Sequence, residues 1–204
     1  MLKRSFTGFL LIGVIFMVLF LSNVWIFSAV ISLICFTGLR EWFNNNFNKS
    51  FLGIFIIANF GLWSIFYILM GKGNYALFGL IILNTAIYDI SAYIIGSKFG
   101  RNYIVSKISP KKTLEGLIGG VLASALYGVL MNFYFDIKFA VLIFIFGALL
   151  AFAGDLLISY FKRQSGVKDT GDILPGHGGM LDRIDGLLLA FPVYAAIISS
   201  LVMS

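Results

Sequence analysis

Seven apolar stretches run through this chain, and little lies between them. They are roughly Phe6–Leu21, Val24–Leu39, Phe51–Met70, Tyr75–Gly96, Leu117–Phe135, Phe139–Ile158 and Leu187–Met203. A helix needs about 20 apolar residues to cross a hydrocarbon core ~30 Å thick, at about 1.5 Å per residue. The pattern therefore predicts an all-α polytopic integral membrane protein with about seven transmembrane helices. Composition agrees: 60% of residues are hydrophobic and only 12% are charged, against about 25% charged in a soluble domain. A water-soluble globular domain, a disordered chain and a disulfide scaffold are excluded. The single cysteine, Cys35, lies in an apolar run and has no intrachain partner.

The whole of 1–204 reads as one membrane-embedded domain, with N-terminal helices over 1–70 and a catalytic portion over 71–204. The first two stretches are short and separated only by Ser22-Asn23. One helix through both would be about 50 Å long, more than a bilayer accommodates. A tight helical hairpin, spanning or re-entrant, is the expected form. The start Met1-Leu2-Lys3-Arg4 imitates a signal peptide, but no small-x-small cleavage site follows. It reads as a retained first helix. Pro192 should kink the last helix, as membrane helices tolerate.

Charge sets the orientation. With the N-terminus in the cytoplasm, seven passes leave only Lys72 and Lys138 outside, and the other 13 of 15 Lys and Arg inside. This is a positive-inside bias, and a bacterial-type inner membrane is the expected location. It explains the net charge of +6 without nucleic acid as a partner. Two polar loops, about 97–116 and 159–186, then share the cytoplasmic face.

Five of the nine acidic residues fall between 155 and 185: Asp155, Asp169, Asp172, Asp182 and Asp185. Asp155 is expected about one turn inside the end of the sixth helix. An acidic side chain at a bilayer centre costs about 2.5–3.5 kcal/mol on insertion scales, so a membrane-embedded carboxylate is a functional candidate. Asp182 and Asp185 are three apart and share a helix face. Carboxylate oxygens suit Mg²⁺, which binds through one or two carboxylates, waters and substrate phosphates. Lys162, Arg163, Lys168 and Arg183 stand around them, and Gly176, Gly178 and Gly179 bracket His177. Such a loop lets backbone N–H groups approach an anion. The bland alternative is a solvated loop that only sets topology, with His177 structural.

The other loop adds Asp89 and Tyr93, four apart on one face, then Ser109-Pro110-Lys111-Lys112-Thr113-Leu114-Glu115-Gly116. Pro110 fits a turn, Thr113 a helix cap and Glu115 the first turn of the fifth helix. Lys111 and Lys112 could bind a triphosphate or face anionic headgroups. Gly147, Ala148, Ala151, Ala153 and Gly154 are small residues that let a neighbouring helix approach Asp155.

Ser159-x-Phe161-Lys162-Arg163, then Lys168-Asp169, then Leu174-Pro175-x-His177-Gly178-Gly179-Met180-x-Asp182-Arg183-Ile184-Asp185 resembles the signature of phosphatidate cytidylyltransferases (CDP-diacylglycerol synthases). Gly154-Asp155-Leu156, the Ser-Pro-Lys-Lys-Thr-x-Glu-Gly block and the Asp-x-x-Ala-Tyr block are similar to that family and in its order. The resemblance covers about 85–190. Leu114 stands where the family commonly has an aromatic residue.

The resemblance implies transfer of a cytidylyl group from CTP to phosphatidic acid, giving CDP-diacylglycerol and pyrophosphate at the cytoplasmic face. It implies Mg²⁺, leaving room for a second cation, and leaves a homodimer open. By motif match, Asp155 and Asp182 are metal ligands, with Asp185 and Asp89 next. Ser159, Lys162, Arg163, Lys168 and Arg183 would hold phosphates, and His177 with Gly178 and Gly179 would shape the pocket. A CTP-dependent polyprenol or phytol kinase would instead give CDP and a phospholipid. A CDP-alcohol phosphotransferase would need an Asp-Gly-x-x-Ala-Arg element, which is missing. A small ion-coupled transporter would place its charges near the bilayer midplane rather than at one face.

Overall fold

The computed structural model describes residues 13–70, 75–137, 139–174, 176 and 178–203. Seven helices account for most of them. They are α1 (13–21), α2 (Val24–Asn44), α3 (Ser50–Met70), α4 (Tyr75–Phe99), α5 (Leu114–Phe135), α6 (Ala140–Gln164) and α7 (Leu181–Met203). No strand occurs among the described residues, only isolated bridges at Tyr103–Thr113 and Leu174–Gly178. Five helices, α2 to α6, are long and apolar enough to cross a membrane.

The first two apolar stretches form two separate helices. Ser22 adopts a left-handed φ of 47°. Asn23 caps α2, its Oδ1 accepting from the N–H groups of Trp25 and Ile26 at 2.9 and 3.3 Å. A capped start directly after a left-handed residue separates the two helices. Lys3, Arg4, Lys72, Lys138, Pro175 and His177 lie outside the described residues, so the readings placed on them are not addressed by the fold.

Three helix ends run well past the apolar boundaries. α2 continues to Asn44 rather than Leu39, and α6 to Gln164 rather than Ile158. α7 begins at Leu181 rather than Leu187. Hydropathy marks only the segment that sits in hydrocarbon. At about 1.5 Å per residue, 25 residues of α6 reach roughly 37 Å, longer than a ~30 Å core. The polar loops therefore shrink to 100–113 and 165–180. Ser159, Lys162 and Arg163 ride on the last turns of α6 instead of in a loop. Asp155 sits nine residues before Gln164, deeper in its helix than one turn.

Neighbours in sequence pack together: α2 on α3, α4 on α5, α5 on α6 and α6 on α7. α7 also packs on α3 and touches α2 and α4, which closes the bundle. Its Leu181, Leu188, Ala190, Phe191, Tyr194 and Ala195 are buried. Phe191 is the hub of an aromatic cluster with Phe60, Tyr67 and Phe78, at centroid distances of 5.9, 6.2 and 4.8 Å. α7 runs through Pro192 as one helix.

Small residues do the packing expected of them. A Cβ on Gly147 would run into the Tyr194 ring, and one on Gly154 into the Asp185 carbonyl oxygen. α6 and α7 thus touch backbone to backbone beside Asp155. Without a side chain at 154, the two helices can bring their acidic residues to one place.

Candidate active site

Both polar loops lie at the same end of the bundle. Residues 100–113 fold as a short hairpin, with the Ile104 N–H donating to the Lys112 carbonyl at 3.0 Å and the Leu114 N–H to that of Asn102 at 2.8 Å. Pro110 sits second in the turn closed by the Lys112 N–H on the Ser109 carbonyl, 3.3 Å, where its fixed φ suits a turn. Thr113 caps α5, its Oγ1 accepting from the Gly116 N–H at 3.2 Å. Glu115 accepts from the backbone and side-chain amides of Asn102. Its capping-region role is realised, and it points back at the hairpin. Arg163, exposed at the end of α6, donates to the carbonyls of Ile108 and Val167, both at 3.2 Å. It ties one loop to the other.

Beside the hairpin, among α4, α5, α6 and α7, lies a cavity of about 310 Å³. Its walls are Tyr88, Asp89, Ala92 and Tyr93 of α4, Lys111, Lys112 and Thr113 of the hairpin, and Gly116 and Leu117 of α5. Phe152 and Asp155 of α6 and Asp182 and Asp185 of α7 complete it. The fold thus brings six of the residues singled out from sequence, Asp89, Lys111, Lys112, Asp155, Asp182 and Asp185, to one space. The carboxylates of Asp89, Asp155 and Asp185 repel one another across it.

Cations offset that repulsion. The Lys112 ammonium lies 2.5 Å from Asp155 Oδ2 and 4.7 Å over the Phe152 ring. Ser159 Oγ donates to Asp155 Oδ1 at 3.2 Å. Lys162 Nζ lies 2.7 Å from Asp182 Oδ1.

Asp182 has a second task. Its Oδ2 accepts from the Thr170 N–H at 2.8 Å, the Thr170 hydroxyl at 3.1 Å and the Gly179 N–H at 3.0 Å. Burial alone would raise this carboxyl. The Lys162 ammonium and the two backbone donors outweigh burial and hold it below the ordinary carboxylate range. Asp182 is thus the ionised anchor that draws Thr170 and Gly179 together. Gly178 has a left-handed φ of 79°, and a Cβ there would stand 2.8 Å from Asp182 Oδ2. Only glycine suits that approach.

Tyr93 and Thr113 also line the cavity, whereas Ser159, Lys162, Arg163, Lys168, Gly178, Gly179 and Arg183 are not in its wall. Lys168 and Arg183 are exposed. Gly178 and Gly179 form the strand-like turn over Asp182, and His177 falls outside the described residues.

Sequence reasoning missed three residues at this end. Glu41 of α2, buried at 3% exposure, accepts from the Met180 N–H at 2.7 Å, the Leu181 N–H at 2.9 Å and the Thr170 hydroxyl at 2.8 Å. Asn45 donates to the Thr170 carbonyl at 2.6 Å. Thr170 is held by both. The available signal was an acidic side chain ending an apolar stretch, which looks the same as any interfacial charge.

The chemistry of the cavity suits a hard cation and phosphate groups. Its donors are carboxylate oxygens with lysines alongside, and nitrogen or sulfur ligands do not line it. Among the described residues no three acidic, histidine or cysteine side chains converge enough to hold a metal ion by themselves.

Fold and site together define the class: a polytopic α-helical membrane protein with a carboxylate–lysine cavity among its helices beside the 100–113 hairpin. Comparison places it more closely. Residues 45–201 match the model of the Cytidylyltransferase family. The phosphatidate cytidylyltransferase of Rickettsia prowazekii is 34% identical over 95% of this chain and 90% of its own length. That of Thermotoga maritima is 45% identical over 56% of this chain and 46% of its own. The Escherichia coli protein named Uncharacterized protein YnbB is 46% identical over 52% of this chain and 37% of its own length. The chain thus spans about half or less of the latter two relatives and nine-tenths of the first. It belongs to the cytidylyltransferase family.

Proposed function

We propose that this chain transfers the cytidylyl group of CTP to phosphatidic acid, giving CDP-diacylglycerol and pyrophosphate. The observation that supports it is the meeting of Asp89, Asp155 and Asp185 with Lys111 and Lys112 around one cavity at the end of a membrane bundle. Relatives named phosphatidate cytidylyltransferase support the same reading.

The reaction needs little acid–base help. The phosphatidate phosphate is already an anion at neutral pH and serves as the nucleophile. Its oxygen bonds to the α-phosphorus of CTP while the bond from that phosphorus to the α–β bridging oxygen breaks. Pyrophosphate leaves with the electron pair. The barrier lies in bringing two polyanions together and in line, so positioning and charge neutralisation dominate.

The residues divide that work. Lys111 and Lys112 lie on the hairpin and face the cavity, where they would hold phosphates. Asp155 would hold Mg²⁺, with Asp182, Asp185 and Asp89 as neighbouring oxygen donors. Bound Mg²⁺ would neutralise phosphate charge and orient the α-phosphate. In the structure, lysines stand at Asp155 and Asp182. Each ammonium becomes available to a phosphate once its carboxylate is otherwise engaged. Lys162, with Ser159, lines up the acids, and Arg163 braces the loops.

The site would face the cytoplasm, where CTP is, from a bacterial-type inner membrane, which supplies the lipid. The bias of basic residues to this end supports that orientation. The test uses purified protein in detergent with phosphatidic acid and CTP labelled at the α-phosphate, with and without Mg²⁺. Label should enter the lipid fraction as pyrophosphate is released. Label appearing only in CDP would favour a lipid kinase, and no transfer would overturn the reading.

A further inference from the structure

Glu41 is the most buried acidic side chain in the bundle end, and the chemistry just described does not use it. It sits on α2, an element that contributes nothing to the cavity wall. Its three partners belong to the signature segment: the Thr170 hydroxyl and the N–H groups of Met180 and Leu181. Those N–H groups open α7, where the first-turn donors have no partner within the helix. A carboxylate there also meets the positive end of the helix dipole.

The fit is close. A Cβ on Gly171 would lie 3.0 Å from Glu41 Oε1, and one on Gly179 would collide with Glu41 Oε2 and the Thr170 hydroxyl. The Thr170 hydroxyl also reaches Asp182 Oδ2, at 3.1 Å. Its single proton is therefore placed between the two carboxylates. Asn45 adds a bond from the same helix to the Thr170 carbonyl, 2.6 Å. Trp42, between them on α2, packs on Phe161 of α6 at 4.7 Å, so the anchor is fixed to the helix that bears Asp155.

We infer that Glu41 is a positioning residue: it clamps Thr170 and the start of α7, and so holds Asp182 and its partner Lys162 in register with Asp155. This rests on the reading of the cavity as the cytidylyl-transfer site. The clamp itself is a matter of hydrogen bonds and can be measured apart from turnover.

The test compares the full chain with Glu41→Gln and Asn45→Ala in detergent. Glutamine keeps the shape but presents an NH₂ group to donors that need acceptors. Amide hydrogen exchange in a peptide spanning 168–182 should rise roughly tenfold or more in Glu41→Gln, with α4 and α5 unchanged, because the opening is local. Per folded molecule, kcat should fall roughly tenfold to a hundredfold, as misplacement of about 1 Å can do, while KM for CTP stays within about twofold. Asn45→Ala should give a smaller change of the same pattern. A general structural role would instead raise exchange evenly across the helices and lower the melting temperature with kcat per folded molecule unchanged. That result, or wild-type exchange over 168–182, would overturn the inference. If the unaltered chain transfers no cytidylyl group, the proposed function fails, while local exchange still reports the clamp.

Discussion

The Lys112 ammonium stands 2.5 Å from Asp155 Oδ2 and is backed by the Phe152 ring at 4.7 Å. One cavity-lining lysine thus sits on the carboxylate proposed to hold Mg²⁺. The pair has a chemical consequence, because a metal ion and an ammonium compete for the same oxygen.

Lys112→Ala should therefore strengthen apparent Mg²⁺ binding while weakening the use of CTP. Without the competing ammonium, half-maximal activity should come at a lower Mg²⁺ concentration, by about threefold to tenfold. Without the phosphate-binding cation, kcat/KM for CTP should fall by at least about tenfold, corresponding to roughly 1.4 kcal/mol. A Mg²⁺ titration at fixed CTP reads the first, and a CTP titration at saturating Mg²⁺ reads the second. An unchanged Mg²⁺ midpoint would show that Lys112 and the metal do not share Asp155.

Asp155→Asn and Asp182→Asn should differ in what they do to the fold. Both should remove CTP-dependent turnover. Asp155 has one ammonium and one hydroxyl partner, and its replacement should leave thermal stability nearly unchanged. Asp182 holds two backbone N–H groups, a hydroxyl and Lys162. An Asn amide nitrogen turned toward any of these donors leaves a buried group unsatisfied, at about 1–3 kcal/mol. A melting curve in detergent should show a clear drop for Asp182→Asn alone. Equal melting temperatures would mean that Asp182 does not anchor the 170–179 segment.

These contrasts also mark what the sequence made legible. Asp89 and Asp155 announced themselves, because a carboxylate inside an apolar helix is costly and needs a reason to be there. Lys112 could be paired with them only as a member of a motif. Thr113 was visible as a cap, since a cap is a local code. Glu41 was hidden for the opposite reason. Its partners are 129 to 140 positions away, and two of them are backbone N–H groups, which every residue but proline has. The true ends of α2, α6 and α7 were hidden because apolar runs report contact with lipid, whereas helical hydrogen bonding continues past it.

Gly154→Ala should injure the site without touching a charged group. The added Cβ meets the Asp185 carbonyl, which is backbone and cannot rotate away. α6 and α7 must separate, at roughly 1–3 kcal/mol for overpacking. The same shift moves Asp155 away from Asp185. Activity per folded molecule should fall more than tenfold, and Ala153→Gly, on a more exposed part of α6, should serve as a near-neutral control. Wild-type activity in Gly154→Ala would show that close contact of the two helices is not what sets the acidic cluster.

Arg163 allows a test between binding and bracing. Its guanidinium reaches the carbonyls of Ile108 and Val167 together, each at 3.2 Å, and so joins the hairpin at 100–113 to the segment that follows α6. A lysine keeps the charge but cannot present donors in two directions from one rigid plane. If Arg163 braces the loops, Arg163→Lys and Arg163→Ala should behave alike, lowering kcat by a similar factor and raising exchange in both loops. If it binds a phosphate as a charge, Arg163→Lys should keep most of the CTP affinity that Arg163→Ala loses. The two carbonyl bonds favour the first outcome. Steady-state kinetics on the two variants side by side decides it, and a lysine variant with wild-type KM and kcat would return Arg163 to the role of a substrate contact.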